Sequence, residues 1–296
     1  MPEHSANPAR GLETVRTIAD LRQRIAAWRA AGETIGLVPT MGALHAGHLA
    51  LVEAARARCG RVAATIFVNP AQFAPEEDFT SYPRDEREDA AKLAALGTNL
   101  LFAPPVEEVY PQGFATTVRV AGISDGLCGD HRPGHFEGVA TVVAKLLNQS
   151  LPDRAFFGEK DYQQLQVIRR LAADLDIPVE IVGVPTVREA DGLALSSRNA
   201  YLSAAERRIA PALHQALARL AATLEAGPDD IAGILADGRT ALDRAGFTSI
   251  EYLELRDAET LAPVAGLDRP ARLLAAAWLG PTRLIDNLPV TLPAPS

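Results

Sequence analysis

The chain has 296 residues, 48% of them apolar and 22% charged, with a net charge of −8 and two cysteines, Cys59 and Cys128. That length makes two domains the natural expectation and lets the chain bury a sizeable core. The acidic balance argues against nucleic acid, which needs a basic face; the cysteines form neither a disulfide framework nor a zinc spacing; and with no run near the ~20 apolar residues of a membrane span and no apolar signal core at the N-terminus, a soluble cytoplasmic protein with no membrane partner is expected. Residues 1–11 read as a disordered tail. A helix opens at Thr17, carries Ile18, Leu21, Ile25 and Trp28 on one stripe and closes at Gly32.

The apolar run 34–38 is long enough for a buried strand. It enters Val38-Pro39-Thr40-Met41-Gly42-Ala43-Leu44-His45-Ala46-Gly47-His48-Leu49, after which Leu49, Val52, Ala55 and Arg56 recur at helical spacing up to Cys59. Strand, Gly-containing turn and helix in that order make the first half of a βαβ unit. His45 and His48, three apart, share one side of the helix start, where the free backbone N–H groups carry partial positive charge and suit a phosphate. Two histidines can equally be capping residues or half of a metal site, but no carboxylate or cysteine follows at a useful spacing. The leading strand, the flanking glycines and the helix beyond favour an anion. The H-x-G-H signature on this scaffold resembles the first motif of the nucleotidyltransferase superfamily, where it sits on the phosphates of ATP.

Residues 61–68 form a second, nearly continuous apolar strand, the pattern of a parallel strand covered on both faces. It runs into Asn69-Pro70-Ala71-Gln72-Phe73, at the strand edge where open α/β sheets bind ligands. Asn69 and Gln72 are candidates for hydrogen-bonding a polar substrate, or else loop-capping amides. A polar connection over 75–83, an amphipathic helix over 84–97 and a third strand over 99–103 follow, and 116–120 alternates like an edge strand. The glycine-dense segment 124–138, with His131 and His135, reads as a loop that wraps a substrate or meets a second subunit. A helix spans 139–149.

A strand over 154–158 ends in Gly158-Glu159-Lys160-Asp161-Tyr162-Gln163-Gln164, and Leu165, Ile168, Leu171 and Leu175 define the buried face of the next helix. Lys160 and Gln164 lie four apart at its start, so both can point at one ligand. A lysine there opposes the helix dipole, a conflict that a phosphate would remove; a solvated lysine is the alternative. The strand 179–184 leads to Asp191-Gly192-Leu193-Ala194-Leu195-Ser196-Ser197-Arg198-Asn199-Ala200-Tyr201-Leu202-Ser203, in which Arg198 offers a planar fork of donors fitting polyphosphate. Ser203 caps a long Ala-rich helix to about Ala226. A helix over 229–246, the stretches 249–255 and 271–278 and a Pro-rich end complete a smaller α+β domain with its hinge near Arg188.

Four motifs in this order resemble pantothenate synthetase: Met41 to His48, Phe67 to Phe73, Phe157 to Gln164 and Ser196 to Ser203. The resemblance covers about 14–288; Leu195 stands where the family often has Met. It implies a Rossmann-like parallel sheet with helices on both faces binding ATP and pantoate over 12–187, a C-terminal domain over 188–296 that closes over it, and a homodimer. It implies pantoate, β-alanine and ATP as substrates and pantothenate, AMP and pyrophosphate as products, through a pantoyl adenylate. Catalytic roles fall on His48, His45, Lys160 and Arg198. The nucleotide positions are Met41, Gly42, Ala43, Leu44, His45, Ala46, Gly47, His48, Gly158, Glu159, Lys160, Asp161, Val187, Leu195, Ser196, Ser197 and Arg198. Gln72, Gln164 and Asn69 face pantoate, and Gln72 also β-alanine. Mg2+ is expected with ATP, held mainly by phosphate oxygens, with no protein ligand assigned.

The chemistry suits these residues. A carboxylate attacking a polyphosphate meets charge repulsion, so catalysis is positioning plus neutralisation. Backbone N–H groups after Met41, the two imidazoles, Lys160, Ser196, Ser197 and Arg198 supply donors. Two rivals keep the scaffold: a nucleotidyltransferase of another small phosphorylated substrate, and an ATP-binding sensor without turnover.

Overall fold

The structure is a computed structural model describing residues 12–74, 79, 82, 84–227 and 230–292. The expected tail over 1–11 and most of the connection over 75–83 lie outside the described residues. In chain order the elements are β1 (Thr14–Val15), α1 (Ile18–Ala30), β2 (Ile35–Thr40), α2 (Ala46–Arg58), β3 (Arg61–Ile66), α3 (Glu86–Ala95), β4 (Leu100–Phe102) and α4 (Val106–Val109). Next come α5 (Cys128–His131), α6 (His135–Ser150), β5 (Arg154–Gly158), α7 (Tyr162–Asp174) and β6 (Glu180–Val184). The last are α8 (Ala204–Ile209), α9 (Ala212–Glu225), α10 (Ile231–Ala245), β7 (Ser249–Asp257), β8 (Ala271–Leu279) and β9 (Thr282–Val290).

Backbone proximity divides the chain into two compact units. The first holds the described chain up to Val118 together with Glu137–Phe157 and Leu171–Val184; the second holds Arg119–Phe136, Gly158–Arg170 and the described residues from Pro185 onward. This differs from one boundary near Arg188, because 119–136 and 158–170 group with the C-terminal residues. Side-chain bonds within the second unit show why: the Tyr162 hydroxyl and the Gln166 amide both donate to the carbonyl of Ala258, at 2.8 and 3.0 Å.

The first unit is built on a six-stranded sheet in the order β1-β4-β3-β2-β5-β6, with the pairs β1–β4, β4–β3, β3–β2 and β2–β5 parallel. Its core packs Val38, Val62, Ala64, Leu101 and Phe156 of the strands against Leu51, Val52 and Ala55 of α2 and Leu93 of α3. From β2 the chain order runs outward through β3 and β4 on one side and through β5 and β6 on the other. That makes the carboxyl end of β2 the switch point where such sheets hold ligands. Residues 116–120 form no strand; the Val118 N–H is satisfied by the Thr141 hydroxyl at 2.9 Å instead of by a strand neighbour.

The second unit carries the antiparallel sheet β7-β8-β9, backed by α9 and α10. Leu213, Leu217, Leu220 and Leu224 of α9 and Leu242 of α10 close on Leu253, Leu273, Ala275 and Leu284 of the sheet. The expected long helix after Ser203 is broken into α8 and α9 at Pro211, which cannot donate the backbone bond a continuous helix needs. The expected Pro-rich end includes the strand β9, nine residues paired with β8 from Thr282 to Val290, and its last residues, 293–296, lie outside the described residues. Pro289 is tolerated because β9 lies at the edge of its sheet. Segment 124–138 is not wholly loop, since α5 occupies four of its residues and α6 begins at His135. Leu165, Ile168 and Leu171 are buried as expected, whereas Leu175 lies past the end of α7 and is 51% exposed. Among the described residues no helix is long and apolar enough to cross a membrane.

Candidate functional site

In the first unit the histidine turn is assembled by local hydrogen bonds. His45 is the N-cap of α2: its Nδ1 accepts from the Gly47 N–H at 3.1 Å, and its own N–H donates to Nδ1 of His48 at 3.4 Å. The two rings lie with centroids 4.2 Å apart, tilted 45° to each other. Because both Nδ1 atoms accept, a neutral imidazole here carries its proton on Nε2. Each ring therefore presents an N–H donor on its far edge, beside a helix N-terminus that favours negative charge.

The approach to that helix differs from expectation. Gly42 and Ala43 sit at φ of +84° and +51°, which rotates their amides toward α3. There the buried carboxylate of Asp89 accepts from the N–H groups of Ala43 and Leu44, both at 2.8 Å, while the Gly42 N–H donates to Thr40 Oγ1 at 3.2 Å. Lys92 adds a bond from Nζ to the Leu44 carbonyl at 2.8 Å. Three backbone donors expected to face phosphates are thus satisfied internally. A Cβ on Gly42 would lie 3.0 Å from the Asp89 carboxylate, so the position requires glycine for both space and φ. Asp89 belongs to no motif and lies within the amphipathic helix expected over 84–97.

Asn69 is 1% exposed and uses its whole amide on the protein. Its Nδ2 donates to the Gly138 carbonyl at 3.1 Å and to Gln72 Oε1 at 3.2 Å, and its Oδ1 accepts from the Ala71 N–H and the Tyr110 hydroxyl. Burial pushes the Tyr110 phenol up to about 12, against a smaller lowering by its bond to Asn69, so it stays a donor. Asn69 thus caps its own loop and holds Gln72. Gln72 Nε2 in turn donates to the Met41 sulfur at 3.0 Å, joining the two motifs. The loop lies so close to α6 that a Cβ on Gly138 would fall 2.1 Å from the Ala71 carbonyl oxygen. A cavity of about 280 Å³ opens at the carboxyl ends of β2, β3 and β4, lined among others by Met41, Gly42, Phe67, Val68, Arg84 and Asp89.

The remaining expected residues belong to the second unit. Gly158 precedes a single 3₁₀ turn, Glu159–Asp161, so Lys160 stands just ahead of α7 and Gln164 in its first turn. Lys160 Nζ is 3.6 Å from the Asp161 carboxylate, which eases the conflict with the helix dipole. Val187 and Leu195 face each other across a tight loop, the Leu195 N–H donating to the Val187 carbonyl at 3.0 Å. Ser196 caps the 3₁₀ turn Ser197–Tyr201, its hydroxyl accepting from the Arg198 N–H at 3.3 Å. Strand β9 packs against both the Lys160 turn and the Arg198 turn, so the strand missed in the sequence is what gathers them. Its Asp286 is paired by Arg188 at 2.7 and 2.8 Å, with His214 Nδ1 3.5 Å away. Burial alone would raise the Asp286 carboxyl, but His214 and Arg188 outweigh it and hold the group below the usual carboxylate range.

His131 and His135 are engaged by neighbours in this unit, the His131 ring lying tilted 6.1 Å from the Tyr252 ring and His135 lying 3.0 Å from Arg132 Nη1. Among the described residues no three His, Cys, Asp or Glu side chains are grouped to cage a metal.

A parallel sheet whose switch-point strand enters a histidine-capped helix, in a chain with a separate antiparallel C-terminal sheet, defines a Rossmann-like α/β enzyme of the H-x-G-H kind. Comparison with known proteins narrows the class. Residues 13–289 match the family model described as Pantoate-beta-alanine ligase, and the chain belongs to that family. The pantothenate synthetase of a Chelativorans species is 60% identical over 279 residues, covering 94% of this chain and 98% of that protein. The one from Paramagnetospirillum magneticum is 60% identical over 278 residues, 93% of this chain and 97% of that protein. Among solved structures, pantothenate synthetase from Thermus thermophilus superposes with a TM-score of 0.88 at 50% identity, covering 95% of this chain and all of that one. The pantoate-beta-alanine ligase from Francisella tularensis, solved with a β,γ-ATP compound and β-alanine, superposes at 0.79 with 33% identity over 94% of this chain and 97% of that one.

Proposed function

We propose that the chain joins pantoate to β-alanine at the expense of ATP, releasing pantothenate, AMP and pyrophosphate. The observation that carries this reading is the reciprocal cap of His45 and His48, which places two imidazoles at the N-terminus of α2, an end that favours a phosphate. Family membership over nearly the whole chain supplies the substrates.

In the first step a pantoate carboxylate oxygen attacks the α-phosphorus, the bond to the bridging oxygen breaks, and pyrophosphate leaves. In the second, the β-alanine amine attacks the acyl carbon, the acyl–oxygen bond breaks, AMP departs and the nitrogen loses its proton. His45, His48, Lys160 and Arg198, with the hydroxyls of Ser196 and Ser197, are the donors assigned to the phosphates, where charge must be neutralised as it shifts. Gln72 and Gln164 are assigned to the pantoate oxygens, with Gln72 also reaching β-alanine. Asn69 acts through Gln72. Mg2+ fits as an ion carried by the triphosphate, since hard-cation ligands would come from phosphate oxygens and not from imidazoles; bound there, it would neutralise phosphate charge. A cytoplasmic homodimer completes the proposal, and light scattering tests its mass.

The decisive experiment is exchange of labelled pyrophosphate into ATP. Exchange with pantoate alone, none with β-alanine alone, and AMP and pantothenate with all three are expected. A requirement for all three substrates would remove the separate adenylate, and exchange with β-alanine alone would overturn the substrate assignment.

A further inference from the structure

Lys160 lies in a turn of three residues that makes no side-chain cap of its own. What holds its backbone comes from far along the chain. Asn287, 3% exposed in the middle of β9, donates both hydrogens of its amide to this turn, one to the Glu159 carbonyl at 2.9 Å and one to the Lys160 carbonyl at 2.8 Å. Its orientation is itself imposed: Oδ1 accepts from Arg272 Nε at 2.7 Å, and the same guanidinium reaches the Glu159 carboxylate at 3.2 Å while lying 4.1 Å over the Tyr162 ring. An arginine supplies donors alone, so it admits the amide in one orientation, with the nitrogen toward the turn. Strand alternation puts the neighbouring Asp286 on the opposite face, toward Arg188 and His214. Asn287 is thus fixed on every polar atom of its side chain, and both of its donors serve the lysine turn.

We infer that Asn287, oriented by Arg272, is the positioning residue that sets the placement of Lys160 for adenylation. This rests on the reading above that Lys160 works on the phosphates. A buried polar group whose donors all go to two consecutive carbonyls of one turn fixes the path of that turn. A donor displaced by about 1 Å from the transferring group can cost about 10²-fold in rate.

The test is a double-mutant cycle on the full-length enzyme, read as pyrophosphate–ATP exchange with pantoate. Lys160→Ala is expected to lose on the order of 10²–10³-fold, and Asn287→Ala about 10²-fold in kcat with an unchanged KM for pantoate. The double variant should be no slower than Lys160→Ala within about 2-fold, because Asn287 has nothing left to position. Asn287→Asp keeps the acceptor for Arg272 and removes the donors; it should reproduce the loss with far-ultraviolet circular dichroism unchanged, and it replaces Ala in the cycle if Asn287→Ala does not fold. Multiplicative losses in the double variant would overturn the inference, as would a wild-type rate in Asn287→Asp. A wild-type rate in Lys160→Ala would instead overturn the assignment of Lys160 to the phosphates.

Discussion

Replacing Asp89 with Asn tests the link between the histidine turn and the helix that braces it. The carboxylate is 2% exposed and accepts two backbone N–H bonds, one on each oxygen, both at 2.8 Å. An amide of the same shape keeps one oxygen and turns an NH₂ toward the other donor. The orphaned N–H costs about 1–3 kcal/mol, and the surviving bond loses its charge assistance, about 1 kcal/mol. Relief of carboxylate desolvation offsets part of this, leaving a net loss of about 2 kcal/mol. Against a typical total of about 5–15 kcal/mol the variant still folds. The released turn contains Gly42 and Ala43 in the left-handed region and leads directly to His45, so its drift should also lower exchange by about 10–10²-fold. Urea denaturation followed by circular dichroism gives the stability, and pyrophosphate–ATP exchange gives the rate. A stability within about 0.5 kcal/mol of wild type would refute the hydrogen-bond argument. A destabilised variant exchanging at the wild-type rate would show that the brace does not govern the imidazoles.

Gln72→Ala should weaken pantoate by about 1–3 kcal/mol while leaving ATP nearly unchanged, since on the proposed reading it removes one side of a hydrogen-bonded contact to pantoate; calorimetric titration of each ligand decides, and equal losses would make Gln72 structural. For Asp286 the folded carboxyl is depressed, so its contribution to stability is fully present above the unfolded value near pH ~3.9 and is lost as pH falls through the folded value. Asp286→Asn should therefore cost about 1–3 kcal/mol at neutral pH, by leaving the partly buried Arg188 without its charge partner, and should flatten the fall in stability below pH ~4. Urea midpoints from pH 3 to 7 check it; parallel curves for variant and wild type would contradict the assignment.

Much of the fold is local and was therefore readable in advance. The apolar run before Met41 and the periodic residues after His48 determine β2 and α2, because strand burial and helical spacing are properties of a few neighbouring residues. The same holds for Thr17 and Ser203 as caps, each bonding an N–H three residues on. The misreadings share one feature, a local signal overruled by a distant partner or by a single blocking residue. Alternation over 116–120 found no strand beside it, and Pro211 interrupted an otherwise helical pattern. The prolines near the C-terminus hid β9, which stands at a sheet edge and pairs with β8 along its whole length.

The site divides along the same line. The sequence by itself determined which side chains are the candidates for the chemistry, because H-x-G-H, the amides after β3 and the lysine and arginine turns are short motifs whose residue types match phosphate and carboxylate. It also determined that the two histidines would meet, since three positions on a helix start lie on one side. Only the tertiary structure decided what holds those motifs in place. Asp89 reaches Ala43 across 46 positions of chain, and Asn287 reaches Lys160 across 127. A hydrogen bond between residues so far apart leaves no trace in the spacing around either one. It exists because packing of a sheet edge or a helix delivers a donor and an acceptor to within 3 Å, and that is a property of the whole core rather than of any stretch within it.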